Sequence, residues 1–163
     1  MIDIKISASI NSLICINQLA KTIWAAAFCG SFLYNIKHAF IAEHSRREAG
    51  GIILVNLSKQ DDNYSIDIYD NGVEFDVDTL SKIGLERAAT HADSGGSGIG
   101  FMMTFETLKK AYASLIITEF ESQAPFSKSV TFRFDGENAY IIHSYRSEEL
   151  KKNINRADLV IDN

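Results

Sequence analysis

A chain of 163 residues is long enough for one domain with a substantial core and too short for two of ordinary size. Its 46% hydrophobic and 23% charged residues exclude a disordered chain. The net charge of −5 excludes the basic footprint of general nucleic-acid binding, so an anionic ligand would have to be held by local donors.

Taken in order, Ile2, Ile4 and Ile6 alternate with Asp3, Lys5 and Ser7 and predict an opening strand. The segment ICINQLAKTIWAAAFCG is rich in small and apolar residues, but Asn17, Gln18 and Lys21 interrupt it. Its longest apolar run, Ile23 to Cys29, falls far short of the roughly 20 residues of a membrane span. It reads instead as part of a long helical region capped by Asn11 or Ser12. Leu13, Ile16, Leu19, Ile23 and Ala27 form its apolar stripe, Gly30 breaks it, and Leu33, Ile36 and Phe40 resume it. Cys15 and Cys29 have no metal-binding spacing and suit buried thiols in a reducing cytoplasm.

Strands are predicted over Ile52 to Leu57 and Tyr64 to Tyr69, joined by KQDDN as an antiparallel hairpin. A short helix over Thr79 to Glu86 leads into a polar segment, Lys82 to Gly98, suited to fold over a ligand. A helix from Phe101 to about Ala111 and a strand from Ser114 to Phe120 follow. Strands over Val130 to Phe134 and Ala139 to His143 read as a second hairpin around DGEN. A charged helix, Ser147 to Asn153, and a tail complete the chain. The expected fold is α/β (α+β), a two-layer sandwich with a mixed, largely antiparallel sheet and helices on one face. Residues 1–163 are expected to form one domain, with a core over about 31–134 and a C-terminal strand and short helix over 135–163.

Two places carry chemistry. In DSGGSGIGFMMT (Asp93 to Thr104), Gly95, Gly96, Gly98 and Gly100 open the helix whose apolar positions are Phe101, Phe105, Leu108 and Tyr112. A bare backbone ahead of a helix N-terminus can approach a phosphate closely and aim N–H groups at it. A Walker loop is excluded because no Gly-Lys-Ser/Thr ends the stretch. A dinucleotide fingerprint is excluded because Phe101 stands where the third glycine belongs and the preceding GLERAATHADS is strand-poor. The second place is Asp70, which shares parity with Tyr64, Ile66 and Ile68 and therefore continues an apolar strand face. A carboxylate so placed must be met by donors. The Asn71-Gly72 turn behind it permits close approach.

Asp70-Asn71-Gly72-Val73 and Gly96-Ser97-Gly98-Ile99-Gly100, with the HAFIA helix end at His38 to Ala42, resemble the ATP-binding domain of sensor histidine kinases, DNA gyrase, the large heat-shock chaperones and the MutL repair proteins. The likeness spans about Ser31 to Phe134 and is nearest to the bacterial sensor histidine kinases. It implies that Asp70 accepts a hydrogen bond from the adenine amino group and that Gly72 lets the base lie against the backbone. It also implies that Gly96, Gly98 and Gly100 cradle the phosphates of Mg-ATP, with Lys82 and Arg87 as candidates for the γ-phosphate. Tyr34, Asn35 and His38 belong to the helix facing the nucleotide, and His38 occupies the place of the asparagine that holds Mg2+ in the family. Magnesium prefers oxygen ligands, so His38 suits a pocket wall better than a metal ligand. Glu74 replaces a glycine of the adenine motif, and the threonine of the last long strand corresponds to Val130 or Thr131. No catalytic side chain is needed, because phosphoryl transfer rests on positioning and charge neutralisation.

The implied activity is that of a histidine kinase catalytic domain, presenting the γ-phosphate to a histidine on a separate dimerisation domain and serving a response regulator. The alternative is a degenerate nucleotide-binding module that signals without catalysis. The implied location is cytoplasmic, alone or within a membrane-anchored kinase, with no nucleic-acid or membrane contact. The chain is expected to be an excised catalytic domain or a truncated product. His44, His91 and His143 are expected at the surface or in the lid.

Overall fold

Alternating side chains build the centre of the molecule. Within NYSIDIYD, Ile66 and Ile68 point to one face and are 8% and 1% exposed, while Ser65, Asp67 and Tyr69 point to the other. The computed structural model describes residues 2–8, 51–72, 74–82, 99–121 and 125–163. The first helical region with Tyr34, Asn35 and His38, and the segment holding Gly96 and Gly98, lie outside the described residues.

In chain order the described elements are β1 (Ile2–Ala8), β2 (Gly51–Gln60), β3 (Asn63–Asp70), α1 (Val77–Lys82), α2 (Ile99–Ala111), β4 (Ser114–Glu119), β5 (Lys128–Phe134), β6 (Tyr140–Ser144), α3 (Ser147–Asn153) and β7 (Leu159–Asp162). The strands form one seven-stranded sheet in the order β1-β2-β3-β5-β4-β6-β7. Its centre is antiparallel, through the β2–β3, β3–β5 and β4–β5 pairs. The β1–β2, β4–β6 and β6–β7 pairs at its flanks are parallel. Leu80 of α1, Leu108 of α2 and Leu150 of α3 share one core cluster with Ile53, Ile68, Phe132, Ile117 and Ile142 of the sheet. The expected α+β class, with a mixed sheet covered by helices on one face, is the fold observed. No described helix is long and apolar enough to cross a membrane.

The first hairpin forms as expected, turning at Asp61, whose φ of 54° is left-handed. The second does not. β5 and β6 are not neighbours; β4 lies between them, antiparallel to β5 and parallel to β6. The DGEN connection therefore arches over the start of β4, and Ser114 holds that arch. The Ser114 hydroxyl donates to Asp135 (2.8 Å) and accepts from the Ala139 N–H (3.0 Å), while Leu115 N–H donates to the Ala139 carbonyl (2.9 Å). The four acidic and small turn residues that suggest a hairpin in sequence serve equally well for a short hop across one strand. The tail after α3 also differs from expectation, adding β7 as a further parallel strand on β6. Leu159, 9% exposed, and Ile161 join the core in strand alternation too short to stand out in sequence.

Helix boundaries follow local chemistry. Asp76 starts α1 two residues ahead of the expected Thr79, because its carboxylate accepts from Thr79 N–H and Thr79 Oγ1, both at 2.7 Å. At its other end, α2 closes with Ala113 N–H donating to Leu108 O (3.0 Å) and Tyr112 N–H to Lys109 O (3.3 Å), the paired bonds of a Schellman motif. Tyr112 holds the left-handed position usually given to glycine, at φ 50° and 66% exposed.

Candidate functional site

One end of the core face is polar. Cross-strand register places Ile53, Asp70, Lys128, Glu119 and Ser144 in one row over β2, β3, β5, β4 and β6. The four polar members are between 2% and 8% exposed. Removing such groups from water is costly unless charges and donors are paired, and here each is. Lys128 Nζ lies 2.9 Å from Asp70 Oδ1, which also accepts from the Gly72 N–H at 2.8 Å. Both contacts of the Asp70 carboxylate among the described residues thus fall on one oxygen.

Arg146, in the β6–α3 turn, grips Glu119 with two parallel bonds, Nε to Oε2 at 2.9 Å and Nη2 to Oε1 at 2.7 Å. Ser144 Oγ donates to Glu119 Oε2 at 2.6 Å, and Arg146 N–H donates to Ser144 Oγ at 3.1 Å. Hydrogen bonding to Glu119 pushes the Arg146 guanidinium further above its usual value, against burial, which works the other way. Nη2 of Arg146 also donates to the carbonyl of Phe75. The Phe75 ring in turn faces Lys128 Nζ, 5.2 Å from the ring centre.

The Asp-Asn-Gly turn is fastened on every side. Asn71 Oδ1 accepts from Ile52 N–H (2.9 Å), tying the turn to β2. Ser127 N–H donates to the Asp70 carbonyl (2.9 Å), and the Ser127 hydroxyl donates to the Gly72 carbonyl. Asp70 and Gly72 are thus buried side by side at the end of β3. Gly100 is the second residue of α2, inside the first helical turn and not in the loop ahead of it. Tyr34, Asn35, His38, Gly96 and Gly98 lie outside the described residues, as does Arg87. Lys82 pairs with Asp78 within α1 at 2.7 Å, and Glu74 is exposed. His143 sits half-exposed on β6 with its Nδ1 against Asp162 of β7. Among the described residues no group of three or more His, Cys, Asp or Glu is placed to hold a metal.

Val130 and Thr131 face opposite sides of the sheet. Thr131 faces the outer side and donates to Asp67 at 2.9 Å, while Val130 faces the core and has no hydroxyl. The polar group beside Asp70 is Lys128, which sequence reasoning missed. Its signal was available: Lys128 is in phase with Val130 and Phe132, and Glu119 with Leu115 and Ile117, so both charges fall on core positions.

No family model matches the sequence, and no curated protein matches it. Among solved structures the chain is similar to a mycobacterial sensor histidine kinase, MprB, with a TM-score of 0.51 and 14% identity. That match covers 81% of this chain and 80% of the other. The chain therefore has a histidine-kinase-related fold.

Proposed function

We propose that this histidine-kinase-related domain binds ATP at the end of β3 and presents its γ-phosphate to a histidine on a separate dimerisation domain. The single observation that carries the reading is Asp70, a carboxylate buried at the end of the sheet beside a buried glycine. With Lys128 and the Gly72 N–H on Oδ1, the remaining oxygen would accept from the adenine amino group. Gly96, Gly98 and the first turn of α2, including Gly100, would bind phosphate through backbone N–H groups. Tyr34, Asn35 and His38 would line the opposite wall. Magnesium would supply charge neutralisation at the phosphates, bound chiefly by their oxygens. A response regulator would receive the phosphoryl group downstream.

Titrating the protein with a fluorescent ATP analogue, with and without magnesium, tests the reading. A hydrogen bond to a charged acceptor is worth about 1.5–3 kcal/mol, so Asp70→Ala is expected to weaken binding roughly 10- to 150-fold. Equal affinity in wild type and Asp70→Ala would remove the proposed base contact.

The second reading, a module that binds nucleotide without phosphoryl transfer, is favoured by Lys128 standing against Asp70 with no hydroxyl from Val130 or Thr131 turned to it. His38 in the asparagine position supports the same reading. Phosphorylation of an added acceptor-histidine domain separates the two. Robust transfer by the wild type excludes the silent module, and a strong gain in His38→Asn favours it.

A further inference from the structure

Resting on the nucleotide reading above, we propose that Arg146 is a positioning residue for the site, linking the C-terminal β6-α3-β7 unit to the turn that would hold the base. The contacts run without a gap. Arg146 is fixed by two bonds to Glu119, whose side chain is wholly buried. Its Nη2 then reaches across to the Phe75 carbonyl, 71 residues away in sequence. Phe75 lies three positions after Gly72, and its ring rests against the Lys128 ammonium. Lys128 in turn holds Asp70 Oδ1. Arg146 thus acts on the backbone just after the Asp-Asn-Gly turn and, through Phe75, on the cation that orients the carboxylate.

The guanidinium is suited to this because its planar fork satisfies a carboxylate and a carbonyl at once, whereas an ammonium is a single point of charge. Glu119 by itself would be met by any cation; the Phe75 contact needs arginine. The consequence is that the β6–α3 turn, outside the span of the sequence resemblance, controls how well Asp70 is aimed. A change in that turn is then felt as a change in nucleotide affinity.

Arg146→Lys separates positioning from stability, since it keeps a cation for Glu119 and gives up the Phe75 carbonyl. In the full chain, the fluorescent ATP analogue with magnesium is titrated into wild type and Arg146→Lys, and hydrogen exchange is followed at the Gly72 amide, which donates to Asp70. The expected result is a melting temperature near wild type, affinity weaker by about tenfold or more, and faster exchange at Gly72. Wild-type affinity with unchanged exchange in Arg146→Lys overturns the proposal and leaves the nucleotide reading intact. A wild type that binds no analogue overturns the nucleotide reading; Gly72 exchange in Arg146→Lys then decides whether Arg146 holds the turn.

Discussion

Two aspartates of β3 stand three residues apart and have opposite surroundings. Asp67 faces the outer side of the sheet, half-buried, and its hydrogen-bond donors among the described residues are neutral: Asn56 Nδ2 at 3.1 Å, Ser65 Oγ at 3.4 Å and Thr131 Oγ1 at 2.9 Å. Asp70 faces the core, is 8% exposed, and meets an ammonium and a backbone N–H. The outer cluster gathers short side chains from β2, β3 and β5 and closes on itself, as side chains do when they pin strand register. The inner row carries alternating charges, Asp70, Lys128, Glu119 and Arg146, and ends at a backbone turn with a buried glycine. A self-contained polar cluster explains itself as structure. The buried charged row is paired as well, but it ends at the glycine turn where the nucleotide is proposed to bind, and for that reason Asp70 and not Asp67 carries the functional reading.

The strongest way to break this comparison is at the Arg146 end. Arg146→Met leaves the buried Glu119 carboxylate without its cation, and removing one partner of a buried pair costs about 3–5 kcal/mol. A large fall in the urea midpoint is expected, and Glu119→Leu with Arg146→Met should recover much of it. A small loss in the single variant would mean that the row is not desolvated in solution.

Next in size is the contrast between the two carboxylates. Asp70→Ala should lower affinity for ATP roughly 10- to 150-fold, whereas Asp67→Ala should leave affinity unchanged. Asp67→Ala should instead lower stability by about 1 kcal/mol through its lost hydrogen bonds, measured by chemical denaturation. If both variants bound nucleotide equally, burial at the sheet end would have no functional meaning.

Asp76 gives a third aspartate, which caps a helix, and sharpens the comparison through pH. Burial raises its pKa, but hydrogen bonds from Thr79 outweigh burial and hold it below the ordinary 3.8. A depressed carboxylate stabilises the fold above its unfolded pKa, and this stabilisation is lost as pH falls through the lower folded value. Asp76→Ala should therefore cost about 1 kcal/mol at neutral pH. The gap to wild type should close on acidification below 3.8, as read from melting curves across pH.

The smallest effect is expected from Tyr112, away from the nucleotide reading. Its left-handed backbone, at φ 50°, costs a residue with a Cβ about 1 kcal/mol, while 66% exposure means that little packing is lost on truncation. Tyr112→Gly should raise the melting temperature slightly and leave nucleotide affinity untouched. A change in affinity would show that α2 transmits strain to the site.

Much of this contrast was legible from alternation. Ile66, Ile68 and Asp70 share a parity, and so do Asp67 and Tyr69, so the two aspartates had to face opposite ways once β3 was a strand. The hairpin to β2 was equally readable, since the Asp-Asp turn joins strands adjacent in sequence. Less accessible were the charges that meet Asp70. Lys128 and Glu119 are in phase with core residues, yet a charge at the last or first position of a strand reads as its solvated end. Only the row formed by β3, β5 and β4 shows that these ends are buried against one another.

The sequence by itself determined strands β1 to β6, the alternation that gives β3 its two faces and the turn behind Asp70, because each depends on neighbours a few residues away. Tertiary structure decided that β4 enters between β5 and β6, that the tail becomes β7, and that Lys128 and Arg146 converge on the Asp-Asn-Gly turn and the residues just after it. These are choices of partner between segments distant in the chain. Backbone hydrogen bonds do not read side-chain identity, so the partner is selected by packing and by the pairing of buried charge, and those exist only once the sheet is assembled.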